Sequence, residues 1–248
     1  MREDIQQLLP KFLDLLLDAV CVVDTQGRFV FVNAASERIF GYTSSELLGT
    51  SMIDLVYPDD RERTISTAQK VMNGQPVPHF ENRYIHKNGH LVDIMWSASW
   101  SATEGMRLAV ARDITQVRRA ERLQKALYDI SEAAHTAANL TTLYRHIHQI
   151  ITTLLPAQSF CVTLYHSNNN EVVFPYYVDQ LQRSYHSREL VEDEPLAKVI
   201  LGGKPLLIHG PLSGASSSQL PPNKLNGLDW LGIPLISADS VIGALVLQ

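Results

Sequence analysis

The chain has 248 residues, enough for two domains of ordinary size. A hydrophobic share of 45% and a charged share of 19% fit a folded globular protein and exclude wholesale disorder. A formal net charge of -5 argues against a general nucleic-acid binder, which would carry a basic patch. The polar, acidic start Met1-Arg2-Glu3-Asp4 argues against export, and no apolar run reaches the length of a membrane span. Cys21 and Cys161 each sit in an apolar, strand-like stretch. They are expected to be buried free thiols in a reducing cytoplasm.

In residues 1–17, Ile5, Leu8, Leu9, Phe12, Leu15 and Leu16 recur at helical spacing, with Pro10 costing one backbone hydrogen bond. Cys21 to Asn33 is predicted to be a hairpin, with Asp24 and Gly27 supplying the turn. Phe29 and Phe31 fall on one face, Val30 and Val32 on the other, and both faces are expected to be covered. Asn33 stands where a helix begins and is expected to cap its free amides. Short helices follow, broken by Gly41, Gly49 and Pro58, and Asp59-Asp60 opens a longer one running to about Asn73. Lys87-Asn88-Gly89-His90 joins two strands, Asn-Gly being a strong hairpin signal. The second strand alternates: Val92, Ile94, Trp96, Ala98 and Trp100 face one way, Met95, Ser97, Ser99 and Ser101 the other. A strand from Met106 to Asp113 closes an α+β domain with helices segregated from an antiparallel sheet.

A helix is predicted from Thr115 to about Ala138, carrying Ala120, Leu123, Leu127 and Ile130 as a heptad-like seam. A carboxylate at Asp113 and a hydroxyl at Thr115 suit the start of that helix, where they can satisfy free amides and the positive dipole end. A second helix, Thr141 to Leu155, ends at Pro156. A second α+β unit follows. Strands are predicted at Ser159 to His166 and Glu171 to Val178, a short helix at Leu196 to Leu201, and a strand at Pro205 to His209. A long Ser/Pro/Gly-rich loop, Gly210 to Gly227, is expected to be a lid or mobile. Two last strands, Trp230 to Leu235 and Val241 to Gln248, leave an apolar strand at the end of the chain. That strand is expected to be an exposed edge, so the chain reads as a fragment.

Asp24, Gly27 and Asn33, then Phe40-Gly41-Tyr42, Glu46-Leu47 with Gly49, Lys87-Asn88-Gly89 and Asp113-Ile114-Thr115 stand in the order found in PAS domains, which the first half resembles. Phe160 to Tyr165, Phe174-Pro175-Tyr176-Tyr177-Val178-Asp179, Trp230 to Leu235 and Val241 to Val246 make the second half resemble a GAF domain. The domains are then 1–17 leader, 18–115 PAS, 116–138 signalling helix and 139–248 incomplete GAF. The resemblance implies the sensory region of a bacterial signalling protein. Its missing output domain would make or degrade cyclic di-GMP, as a diguanylate cyclase or phosphodiesterase. The alternatives are the sensor region of a histidine kinase and a ligand-free dimerisation module. It also implies that Asp113 and Thr115 couple sheet movement to helix orientation, and that the seam forms a parallel homodimer. The bland alternative is that the seam packs against the GAF sheet.

No catalytic motif is present: no Gly-x-Ser-x-Gly, Walker loop, Gly-x-Gly-x-x-Gly or His-Glu-x-x-His. The signatures of cyclic di-GMP enzymes and the kinase phosphoacceptor box are missing too, so the chain itself is read as no enzyme. His146 and His148 point about 200° apart on a helix and cannot chelate together. His79, His86 and His90 flank a hairpin and are expected to be exposed, so no metal site is predicted. Haem is disfavoured because Arg61 to Asn73, the helix that supplies the family's axial His, offers only Met72. Flavin and bilin are disfavoured because neither cysteine has the required context. Asn33, Phe40, Tyr84 and Trp96 are the candidates for a PAS cavity, and Tyr176, Tyr177 and Trp230 for a GAF pocket, although core packing is the commoner use of aromatics. Arg112, Arg118, Arg119 and Arg122 with Glu121 read as a solvated helix face.

Overall fold

The computed structural model describes residues 2–155, 157, 159–179, 186–209, 229–238 and 240–248, with side chains from residue 8 onward. The chain separates into two compact units, Met1–Glu121 and Arg122–Gln248.

The first unit opens with α1 (Arg2–Asp14), β1 (Ala19–Val23), β2 (Phe29–Val32), α2 (Ala35–Phe40) and α3 (Ser44–Leu47). Two 3-10 turns, Met52–Leu55 and Pro58–Asp60, lead into α4 (Arg61–Met72). Then come β3 (Val77–Ile85), β4 (Leu91–Ser101), β5 (Met106–Asp113) and α5 (Thr115–Thr136), the last continuing past the unit boundary. The sheet runs β2-β1-β5-β4-β3, antiparallel throughout. First and last strands lie side by side, from Ala19 opposite Ala111 to Val23 opposite Arg107. The inward residues of the strands join Ile39, Phe40 and Leu47 in one core. Phe40, Tyr84 and Trp96 form an aromatic group with centroids 5.3 to 6.3 Å apart. Such pairs add about 0.5–1.5 kcal/mol each beyond their buried area.

The scattered motif pieces meet in space. Thr43 and Glu46 form a capping box on α3, and Glu46 also takes a 2.6 Å ion pair from Lys87 of the Asn-Gly hairpin. That hydrogen bond, with the Thr43 amide and hydroxyl, holds the Glu46 carboxyl down at about 2. The Lys87 amide donates to the Phe40 carbonyl. Gly41, at φ 80°, lies against the His86 ring, which a Cβ would meet at 2.3 Å. Asp60, 4% exposed, anchors α4 to β3. Its carboxylate accepts from the Arg83 amide at 2.8 Å, from Arg83 Nε and Nη2 at 2.9 and 3.0 Å, and from Arg63 Nε at 3.2 Å.

Three expectations are corrected here. Val30 is exposed because the pairing of β1 with β2 skips it: Val22 stands opposite Phe31 and Val23 opposite Phe29, so Val30 is the bulged residue of an edge strand. The Asn33 side chain does not cap α2, which carries no side-chain cap. Its Oδ1 accepts from Val20 N and its Nδ2 donates to the Leu13 and Asp18 carbonyls, tying α1 to β1. Arg112 and Arg118 are not merely solvated. Arg112 forks onto Asp18 at 2.8 to 3.2 Å, and Arg118 pairs with Glu81 and Glu121.

In the second unit α6 (Leu140–Leu154) is capped by Asn139, whose Oδ1 accepts from Thr142 N at 2.9 Å. The sheet elements are β6 (Phe160–His166), β7 (Glu171–Val178), β8 (Arg188–Glu189), β9 (Leu206–Ile208), β10 (Trp230–Ser237) and β11 (Ser240–Leu247), with α7 (Pro195–Gly202) before β9. Their order is β8-β7-β6-β11-β10-β9. The expected exposed apolar edge is therefore wrong: β11 is an inner strand, paired with β6 on one side and β10 on the other. Strand alternation splits the core. Cys161, Ala244 and Val246 face Leu196, Val199 and Trp230, while Phe160, Val162 and Leu247 face Tyr144, Ile147 and Ile151 of α6. β8 has no counterpart in the sequence reading, and the expected loop Gly210 to Gly227 lies outside the described residues.

Candidate functional site

The first unit holds a cavity of about 50 Å³ between the sheet and α4. Thr64, Ala68 and Val71 line its helical side, and Cys21, Phe29, Tyr84, Trp96 and Ala109 its strand side. Of the four cavity candidates, Tyr84 and Trp96 reach this space. Asn33 instead buckles α1 to β1, and Phe40 is spent in core packing, 1% exposed against Tyr84 and Trp96. Trp96 Nε1 donates to Asn82 Oδ1 at 2.9 Å, and Asn82 Nδ2 donates to Thr64 Oγ1 at 2.9 Å, so a buried polar chain crosses from β4 to α4. The Tyr84 hydroxyl is fully buried and makes no hydrogen bond of good geometry to a described residue, although the Asn82 side chain lies beside it. Burial pushes its pKa well above the usual range.

Arg107 is the residue that the sequence reading missed. It occupies the inward phase of β5 with Ala109 and Ala111 and is only 6% exposed. Its Nη2 lies 2.7 Å from the Met52 thioether sulfur, a weak acceptor. Burial lowers its pKa. Counting the period-two positions back from Asp113 would have flagged an arginine on the core face.

The passage from sheet to helix is laced at several points. Asp113 Oδ1 accepts from Thr115 N at 2.8 Å, satisfying a free amide at the start of α5. Thr115 Oγ1 accepts from Asp93 N on β4 at 3.0 Å, and the Ile114 amide donates to the Asp93 carbonyl at 2.9 Å. Arg118, in the first turn of α5, pairs with Glu81 on β3. Further along α5, Ala120 is exposed, Leu123 is 55% exposed, Leu127 is 60% exposed and Ile130 is half-buried. The buried residues are instead Ala126 and Ala133, which with His146, Ile150 and Leu154 line a groove along α6. Leu123 and Leu127 are therefore not packed against the GAF sheet.

The three GAF candidates do not converge on one pocket. Tyr176 packs on the α6 side of the sheet, its hydroxyl 3.1 Å from His148 Nδ1. Its neighbour Tyr177 points to the opposite side, where Trp230 lies buried against Val199 and Ile200. Adjacent strand residues face opposite ways, which forbids the shared pocket. Among the described residues, no cluster of three or more His, Cys, Asp or Glu could hold a metal, and no helix is long and apolar enough to cross a membrane.

The chain is two consecutive α+β units, with α5 beginning in the first and ending in the second. A family model described as the PAS fold matches residues 29–111, and one described as the GAF domain matches residues 137–248. The chain is a PAS–GAF tandem, both parts being sensory, non-catalytic domain types. It is 26% identical over 126 residues to the probable diguanylate cyclase DgcE of Escherichia coli (strain K12), covering 49% of this chain and 11% of that protein. It is 29% identical over 109 residues to the C4-dicarboxylate transport sensor protein DctS of Rhodobacter capsulatus, covering 42% of this chain and 17% of that protein. The chain thus matches under a fifth of the length of either relative. The crystal structure of the PAS domain of a protein from Colwellia psychrerythraea is 30% identical, with a TM-score of 0.42, covering 46% of this chain and 99% of that one.

Proposed function

We propose that this PAS–GAF module sets the activity of an output domain that makes or degrades cyclic di-GMP, and that it does so as a cytoplasmic homodimer. The observation that carries the reading is the direct run of β5 into α5, with Asp113, Thr115 and Arg118 fastening the first turn of the helix to β3 and β4. A structural change in the sheet then becomes a rotation or tilt of α5. The exposed Leu123 and Leu127 offer a second α5 a surface to read that change against. The likeness to a probable diguanylate cyclase supports this output. The likeness to a transport sensor protein favours a second reading, the sensor region of a histidine kinase.

On this reading the first unit works without haem or flavin. A 50 Å³ cavity is small beside the ~300–1,000 Å³ of usual cofactor sites, and α4 carries no histidine. The test is Asp113→Ala in the full-length protein. Both units keep their melting transitions while signal-dependent output is lost. Regulated turnover unchanged by the substitution removes the coupling role.

A further inference from the structure

A guanidinium buried in a protein without a carboxylate partner is an unfavourable arrangement, because its lost hydration is not replaced by an opposite charge. Arg107 is such a group: it is 6% exposed, and its one hydrogen bond to a described residue goes to the Met52 sulfur. The buried Tyr84 hydroxyl lines the same cavity and makes no hydrogen bond of good geometry to a described residue, although the Asn82 side chain lies beside it. Arg107 has only a weak sulfur acceptor and the Tyr84 O–H no acceptor of good geometry, and an occupant carrying oxygen acceptors would satisfy both.

Size and shape narrow the occupant. One water-sized group needs roughly 10–15 Å³, so a 50 Å³ space admits about four such groups. The rest of the wall is apolar, with Cys21, Phe29, Trp96 and Ala109 contributing. A guanidinium presents a planar fork that matches the two oxygens of a carboxylate. A doubly charged tetrahedral anion would leave charge and acceptor sites unanswered beside one arginine. We propose that this cavity is a receptor site for a short-chain monocarboxylate of about the size of acetate, with Arg107 gripping the carboxylate, Tyr84 donating to it, and the apolar wall taking the methyl group. The site deepens the sensory reading above and rests on it for the meaning of the signal. Binding would draw Arg107 off Met52 and alter the load on β5, the strand that feeds α5.

The experiment uses the purified chain, sodium acetate as the probe and sodium chloride at matched ionic strength as the control. Saturation-transfer NMR on the acetate methyl protons and thermal melting of the first unit are the readouts. The wild type shows saturable transfer and an acetate-dependent rise in melting temperature that chloride does not reproduce. Arg107→Met, similar in length and uncharged, melts at or above the wild type without acetate and loses at least tenfold in affinity. Arg107→Lys keeps the charge but not the fork and loses several-fold, as does Tyr84→Phe. The proposal is overturned if acetate has no saturable effect on the wild type, if nitrate or chloride acts equally well, or if Arg107→Met still binds. It is also overturned if Arg107→Met melts far below the wild type, since the guanidinium would then be structural. Because binding is read without any output domain, failure here leaves the Asp113→Ala result standing, and the two readings fail separately.

Discussion

Replacing Leu123 and Leu127 together with glutamate tests the homodimer most directly. The two side chains are 55% and 60% exposed, so pairing with a second α5 would remove somewhat more than half of each from water. Full burial of a leucine is worth ~1.5–3 kcal/mol, which scales to roughly 1–1.5 kcal/mol for each of these. In a symmetric pair each residue counts twice, and the four leucines supply about 4–6 kcal/mol. That corresponds to a weakening of the dimer by roughly a thousandfold to ten-thousandfold, before the repulsion of four carboxylates is added. The fold itself should not suffer, because substitutions at solvent-facing positions cost within about 0.5 kcal/mol. Sedimentation equilibrium over a wide concentration range reads the outcome: a wild-type dimer and a variant monomer whose melting is unchanged. An unchanged dimer constant, or a variant that unfolds, would refute the reasoning, since either result places these leucines somewhere other than a free seam.

Asp60→Asn should lower the melting temperature of the first unit by roughly 8 °C, from a loss of about 2 kcal/mol, while the second unit is untouched. The figure is kept modest because Arg83 and Arg63 are 36% and 50% exposed. Its pH dependence has a definite sign. Hydrogen bonds from Arg83 hold the Asp60 carboxyl well below the usual range. The wild-type advantage over Asp60→Asn is therefore full above about pH 5 and shrinks as pH falls below the unfolded value near 4. A calorimetric difference that grew with acid would contradict this. Cys21 and Cys161 are buried, and burial pushes both thiols up to about 12. Neither should react with a disulfide reagent at pH 8 until denaturant is added, and rapid labelling of the native chain would show that one of these strands opens.

What the sequence determined by itself was local. The alternation from Val92 to Trp100, the Asn88-Gly89 turn and the α5 start at Thr115 all follow from period, turn chemistry and capping, which depend on neighbours within a few residues. The pairing partner of a strand is not local. β11 looked like an edge because it comes last, yet tertiary pairing puts it inside the sheet, where Gly243 lets the backbones close: a Cβ there would meet the Thr163 carbonyl oxygen at 2.0 Å. Tyr176 and Tyr177 were grouped by adjacency, and the pleat sends them to opposite faces. Asn33 looked like a helix cap and binds α1 instead, because the leader's return path is set by packing. Arg107 shows the division most clearly. Its inward phase was readable from β5, but a core-facing arginine has meaning only once α4 and the sheet enclose a cavity around it and bring the Tyr84 hydroxyl to the same wall. A pattern of period two fixes which way a side chain points, and only the packing of distant elements decides what stands there to meet it.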